Sequence, residues 1–238
     1  AWIAAGGAEP AAMAGHSLGE YTALVCAGAL SLADATRLVR ERGRLMQDAV
    51  PEGVGAMAAV LNADLTVLSE VCAAVSTDAE PVVPANLNAP GQIVLSGSAA
   101  ALDRALAALV ERGVKRAIRL PVSVPSHSPL MRGAAERLAE YLKQVPISAP
   151  RLPVIHNADV SAHSDPDAIR AALALQLHAP VRWIETVEKL AAGGATRALE
   201  CGPGKVLVGM LKRIAPGIES QAIGEPAGFD AAVAGLQS

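Results

Sequence analysis

The segment Gly15-His16-Ser17-Leu18-Gly19 sets a serine between two glycines in a G-x-S-x-G pattern. The apolar run Ala11-Ala12-Met13-Ala14 before it suits a buried strand, and residues 20–27 after it suit a helix that Gly28 stops. A serine on such a strand-to-helix elbow stays exposed at the end of a sheet, and the helix N-terminus faces an oxyanion formed beside it. The chemistry this allows is nucleophilic acyl transfer. A glycine-rich turn with an incidental serine is the alternative. Ser17 needs a base, and the chain offers five histidines. His16 adjoins the serine but points away from a sharp turn. His156, His163 and His178 lie in ordinary contexts. His127 differs, because it lies in Pro125-Ser126-His127-Ser128-Pro129, where two prolines stiffen the loop. It also follows a predicted strand over 115–120, just as Ser17 follows one, and sites of open α/β sheets lie beyond the carboxyl ends of strands. A loop histidine without a special role is the competing reading.

Arg42 stands out by periodicity. The predicted helix over 31–49 carries an apolar stripe of Ala35, Leu38, Val39, Leu45, Met46 and Ala49. At ~100° per residue Arg42 falls in the middle of that stripe, while Arg37, Arg40, Arg44 and Asp48 take the other face. An inward arginine needs a partner, since an unpaired buried charge is costly. Its planar fork suits a carboxylate held by two parallel bonds. An internal salt bridge, for instance with Glu20, or a snorkelling side chain would serve equally. Asn86, Asn88 and Gln92 cluster at a predicted turn, where turn bonds are favoured over lining a cleft.

The elements that must hold these residues follow from the same reading. Residues 17–49 form two helices, the second capped by Ser31. A strand over 55–61, a helix over 64–75, strands over 81–87 and 92–95, a helix from Ser98 to Arg112 and the strand over 115–120 then follow. This strand-helix-strand-strand-helix-strand order is the ferredoxin-like pattern. It predicts a small domain over 51–120 inserted into a larger α/β domain made of 1–50 and 121–238. The larger part continues with helices over 130–145, from Asp165, over 183–192 and over 206–214, alternating with strands over 152–156 and 197–200. Such alternation implies a mostly parallel sheet with helices on its faces.

Two glycine patterns are set aside. Gly53-Val54-Gly55-Ala56-Met57-Ala58 matches a nucleotide fingerprint but runs into strand-like residues instead of opening a helix. Gly202-Pro203-Gly204-Lys205 lacks the phosphate-loop spacing and reads as a βα turn. Hydrophobic residues make up 52% of the 238, so a real core is available, and with 2% aromatics it must be built from Ala, Val, Leu and Ile. A net charge of −3 argues against a general nucleic-acid binder. There is no apolar run of about 18 residues and no secretory signal pattern. Cys26, Cys72 and Cys201 are odd in number and far apart, which suits a reducing cytoplasm and no metal site.

The longer string Ala14-Gly15-His16-Ser17-Leu18-Gly19-Glu20-Tyr21 resembles the nucleophile segment of the malonyl-CoA:acyl carrier protein transacylases of bacterial fatty-acid synthesis. Arg42-Gly43-Arg44-Leu45-Met46-Gln47, Pro121-Val122-Ser123-Val124-Pro125-Ser126-His127 and Gly202-Pro203-Gly204-Lys205-Val206-Leu207 agree, in that family's order and at about its spacing. The resemblance implies an α/β-hydrolase-like large domain with the ferredoxin-like insertion. It places the nucleophile on Ser17, the general base on His127 and the malonyl-carboxylate arginine on Arg42. A main-chain carbonyl that orients the base falls on Gln176, by alignment through Gln176-Leu177-His178-Ala179-Pro180-Val181. His16 is taken as a second substrate-binding residue, and the Leu18 backbone N–H as an oxyanion donor. The implied activity moves a malonyl group from malonyl-CoA to the phosphopantetheine thiol of acyl carrier protein through a malonyl-serine, in the cytoplasm. It needs no resident cofactor, because the coenzyme A thioester is substrate. Its partners are malonyl-CoA and acyl carrier protein, with neither nucleic acid nor membrane, and the enzyme is a monomer. Only 16 residues precede Ser17, where the family has several dozen more. The family's extra segment holds leading strands and a Gly-Gln-Gly-Ser-Gln motif whose glutamine contributes to the oxyanion hole. Two rivals remain: a serine esterase or thioesterase of the α/β-hydrolase type, which orders its triad Ser, acid, His, and a noncatalytic acyl-binding domain.

Overall fold

The computed structural model of the chain describes residues 1–235, so the last three positions of the 121–238 segment lie outside the described residues. Strand β1 (Met13–Ala14) leads through the Ser17 turn into α1 (Leu18–Cys26), and α2 (Leu32–Gln47) follows. Ser31 Oγ accepts the Asp34 N–H at 3.0 Å and so starts α2. The inward stripe of α2 buries Ala35, Leu38, Leu45 and Met46, with Arg42 among them.

Next come β2 (Gly55–Leu61), α3 (Leu65–Val75), β3 (Val82–Ala89), β4 (Gln92–Ser98), α4 (Ala99–Glu111) and β5 (Arg116–Arg119). Asp64 caps α3 by accepting the Thr66 N–H at 2.8 Å, and Ser98 caps α4. The four strands form one antiparallel sheet in the order β3-β4-β2-β5. Ala56, Ala58 and Val60 alternate along β2 and pack with Leu68, Val71, Leu102 and Leu109 of the two helices in one core.

The remaining elements are α5 (Arg132–Leu142), β6 (Val154–Ile155), α6 (Pro166–Gln176), α7 (Trp183–Ala192), β7 (Arg197–Glu200), α8 (Val206–Ile214), β8 (Glu219–Ala222) and α9 (Pro226–Ala234). Leu24, Leu38, Leu138, Leu142, Ile169 and Leu173 share a second core. The architecture is α/β with parallel and antiparallel strands. One correction concerns the sheet of the larger part. A single mostly parallel sheet is expected, yet the described residues hold two separate parallel pairs, β1 with β6 and β7 with β8. The expected strands over 11–14 and 152–156 shrink to two residues each, and β8 and α9 have no counterpart in the sequence reading.

Backbone bonds fasten the antiparallel unit to the rest. Val181 donates its N–H to Ala85 O at 2.8 Å and accepts that of Leu87 at 2.9 Å, so the segment before α7 adds to the edge of β3. The loop that carries His127 lies against the start of β2. A Cβ at Gly55 would sit 2.3 Å from Pro125 Cδ. The Gly202–Gly204 stretch is the turn between β7 and α8, where the Glu200 carboxylate accepts the Leu207 and Val208 N–H groups.

Candidate active site

Ser17 sits at the N-cap of α1 with φ 50° and ψ −104°. This conformation costs a non-glycine residue of order 1–3 kcal/mol and persists only when its surroundings hold it. Asn157, directly after β6, does so from two sides. Its Oδ1 accepts the Ser17 N–H at 2.6 Å and its Nδ2 donates to Gly15 O at 2.8 Å. His127 is the other residue of the pair with positive φ, at 60°. Its N–H donates to Leu177 O at 2.9 Å, and its Nδ1 lies 2.7 Å from Gln176 O. Both acceptors belong to the C-terminal end of α6, where carbonyls have no partner inside the helix. A helix end thus holds the ring from behind.

The tautomer follows from these contacts. A carbonyl only accepts, so Nδ1 carries the proton and Nε2 is the free acceptor. Ser17 Oγ–H donates to His127 Nε2 at 2.8 Å. His127 is 3% exposed, and burial pushes its pKa down to about 3, with the Arg42 charge acting in the same direction and the Gln176 carbonyl against both. The ring is therefore neutral at pH 7 and able to take a proton.

Arg42 is 7% exposed. Its Nη2 donates to Ser17 Oγ at 3.0 Å and to Gln176 Oε1 at 3.2 Å, and the guanidinium stands 5.6 Å from the centre of the Tyr21 ring. Its Nε has no hydrogen-bond partner among the described residues. The salt bridge with Glu20 is not formed. Glu20 is fully buried and accepts from His156, Asn157 and Gln176 instead. Arg42 is thus a buried cation beside the candidate nucleophile with no carboxylate within 4 Å among the described residues. The Leu18 N–H, first in α1, also has no partner among them.

His16 is tied to the antiparallel unit and to α7. Its Nε2 donates to Asn88 Oδ1 at 2.7 Å, and its ring meets Trp183 edge-on at 5.5 Å. Asn88 corrects the expectation that this residue serves its own turn. The β3–β4 register shifts between Leu87 and Ala89, which leaves Asn88 out of the ladder and free to reach the elbow. Gln92 Oε1 accepts from Arg213 instead. Ser17, His127, Arg42, Gln176 and Leu18 are brought together. Sequence reasoning missed Asn157 and His156, although both lie at the end of a predicted strand, on the sheet edge where Ser17 was expected.

The profile described as "Acyl transferase domain" matches residues 1–223. The malonyl CoA-acyl carrier protein transacylase of Salmonella typhimurium is 50% identical over 232 residues, 98% of this chain and 75% of that protein. The chain belongs to this acyltransferase family. Within the family, the crystal structure of the malonyl-CoA:acyl carrier protein transacylase from Xanthomonas oryzae pv. oryzae superposes with a TM-score of 0.96 at 54% identity, covering 98% of this chain and 74% of that one. A malonyl-transacylase solved in complex with a type II PKS acyl-carrier protein superposes with a TM-score of 0.95 at 45% identity, covering 98% and 75%.

The family's elbow depends here on Gly15. A Cβ at this position would lie 2.0 Å from Gly19 C and O, both backbone atoms. Gly15→Ala must force the turn open. We expect a stability loss of at least the ~1–3 kcal/mol of an overpacked site, with loss of labelling of Ser17 by malonyl-CoA. A melting curve and an intact mass check both, and a variant that melts and labels like wild type would show that the turn tolerates the methyl group.

Proposed function

We propose that this chain transfers a malonyl group from malonyl-CoA to the phosphopantetheine thiol of acyl carrier protein, in fatty-acid biosynthesis. The observation that carries the reading is Arg42, a buried and carboxylate-free cation 3.0 Å from a serine oxygen that is itself bonded to a neutral histidine. Ser17 Oγ attacks the thioester carbonyl as its proton passes to His127 Nε2. The Leu18 N–H, aided by the first turn of α1, faces the resulting oxyanion. The C–S bond breaks, coenzyme A leaves with the proton from Nε2, and a malonyl-serine ester remains. The carrier thiol then gives its proton to Nε2 and attacks the ester, and Ser17 regains its proton as it leaves. Arg42 holds the malonyl carboxylate through both halves, and His16, fixed by Asn88 and Trp183, lines the acyl site. The Gln176 carbonyl orients the base without carrying charge. An esterase of the rival class would use an acid at that point, and Nδ1 has a carbonyl instead. The family relative solved with an acyl-carrier protein supports the second substrate. We read residues 1–50 and 121–238 as an α/β-hydrolase-like domain and 51–120 as a ferredoxin-like insertion, a reading supported by the β3-β4-β2-β5 order.

The test is Arg42→Ala. Malonyl transfer should fall by an amount on the order of 2–5 kcal/mol, the range for breaking a desolvated charge pair. Transfer from acetyl-CoA, which has no free carboxylate, should fall far less. Arg42→Lys should recover little, since an ammonium cannot make two parallel bonds. The ratio of malonyl to acetyl transfer is measured beside a melting curve. An unchanged ratio with a lowered melting temperature would make Arg42 a structural residue and end the carboxylate reading.

A further inference from the structure

Glu20 is a fully buried carboxylate that the reaction above does not use. It lies one turn beyond Ser17 on α1, and three donors converge on it. His156 Nδ1 stands 2.7 Å from Oε1, while the Asn157 N–H and Gln176 Nε2 each donate to Oε2 at 2.8 Å. The third contact has a consequence for Arg42. Gln176 Nε2 also donates to Ser17 O at 3.0 Å, so both amide hydrogens have acceptors. The amide oxygen is thereby left facing Arg42, and it accepts Nη2 at 3.2 Å. Reversing the amide would set its NH₂ against the guanidinium and its oxygen against the Glu20 carboxylate. Two matched contacts would become two repulsive ones. Only one orientation is consistent with Glu20 as an acceptor. Among the described residues, Ser17 Oγ and Gln176 Oε1 are the two hydrogen-bond acceptors of Arg42. Once an acyl group occupies Ser17, Gln176 Oε1 is the hydrogen-bond acceptor left to hold the guanidinium over the Tyr21 ring.

We infer that Glu20 is a specificity-determining positioning residue. Through the side-chain amide of Gln176 it sets the place of Arg42, and so the preference for acyl groups that carry a free carboxylate. The inference rests on the reading of Arg42 as the carboxylate-binding residue. It separates two roles of Gln176: the main-chain carbonyl serves His127, and the side chain serves Arg42.

The test compares kcat/KM for acylation by malonyl-CoA and by acetyl-CoA in wild type, Glu20→Gln, Gln176→Met, Arg42→Ala and the Glu20→Gln/Arg42→Ala double variant. Glu20→Gln keeps the shape but removes the charge that holds Gln176 Nε2, and so loosens the amide whose oxygen faces Arg42. The malonyl-to-acetyl ratio should fall by about ten- to a hundredfold, the range for a hydrogen bond to a charged group. Gln176→Met keeps the main-chain carbonyl and should lower the ratio similarly. In the Arg42→Ala background, Glu20→Gln should lower the ratio no further. If Arg42→Ala lowers the ratio while Glu20→Gln and Gln176→Met slow both substrates equally, Glu20 is merely structural and the inference is overturned. If Arg42→Ala itself leaves the ratio unchanged, the carboxylate reading fails first and the inference goes with it. Should Glu20→Gln not fold by its melting curve, Gln176→Met decides the link from Gln176 to Arg42 on which the inference stands, a lowered ratio supporting that link and an unchanged ratio overturning the inference.

Discussion

Ser17→Ala should abolish covalent labelling by malonyl-CoA and leave the fold intact. The hydroxyl is half-buried and makes two side-chain bonds, to His127 Nε2 and Arg42 Nη2. Neither neighbour depends on it alone. Arg42 retains Gln176 Oε1, and His127 retains its Nδ1 bond to Gln176 O. The strained backbone at residue 17 is held by contacts to main-chain atoms, the Asn157 Oδ1 bond to the N–H and the Gln176 Nε2 bond to the carbonyl, and alanine keeps both. Stability should therefore change by no more than about the 1.5–3 kcal/mol of a hydrogen bond to a charged group. The chemical effect is of another order, because no covalent intermediate forms without the oxygen. Residual thioester hydrolysis from the remaining site is expected, as when a nucleophile is deleted elsewhere. The measurement is intact mass after incubation with malonyl-CoA, followed by peptide mapping. An adduct of undiminished yield, or one mapped to another residue, would remove Ser17 as nucleophile.

The proposed nucleophile and base are legible because their surroundings are written in residue types. Glycines flank Ser17 and prolines flank His127, and both follow segments that read as strands. Arg42 was legible in direction, since helical periodicity turns it inward, but not in partner. Which carboxylate meets it depends on contacts across the chain, and Glu20 is taken by His156, Asn157 and Gln176. The Gln176 carbonyl could not be found from residue type, because every residue has one. Asn88 reaches His16 only through a bulge that the alternation of β3 does not announce. The antiparallel unit was read nearly whole because its caps, glycine turns and alternating strands are local signals. The larger part was read less well. One of its parallel pairs joins residues more than a hundred positions apart, Met13 with Val154, and in the other, strand β8 has the sequence Glu219-Ser220-Gln221-Ala222, with no apolar alternation to mark it.

His127→Ala should slow both half-reactions by ~10²–10⁴-fold, the usual contribution of a positioned base. In the proposed reaction one nitrogen serves both steps, since Nε2 takes the serine proton first and the carrier thiol proton later. The pH behaviour gives a second, independent reading. An ordinary histidine titrates near 6.5, but burial, and after it the Arg42 charge, pushes His127 down to about 3. The base is then available throughout pH 5–8, and acylation of wild type should show no loss through 6.5. The same shift carries a stability effect whose sign is fixed by proton uptake. Between pH 6.5 and about 3 the unfolded chain binds a proton at this residue and the folded chain does not. The corresponding stability is fully present above 6.5 and is lost as the pH falls toward 3. His127→Ala lacks that share, so the gap between the wild-type and variant melting temperatures should move in favour of the variant from pH 7 to pH 4.5. Acylation rates of the two proteins at pH 7, together with melting curves at both pH values, check the assignment. Unchanged acylation in the variant would exclude His127 as the base. A wild-type rate that drops through pH 6.5 together with a constant melting gap would mean that the imidazole is solvated in solution, and the buried neutral pair with Ser17 would have to be abandoned.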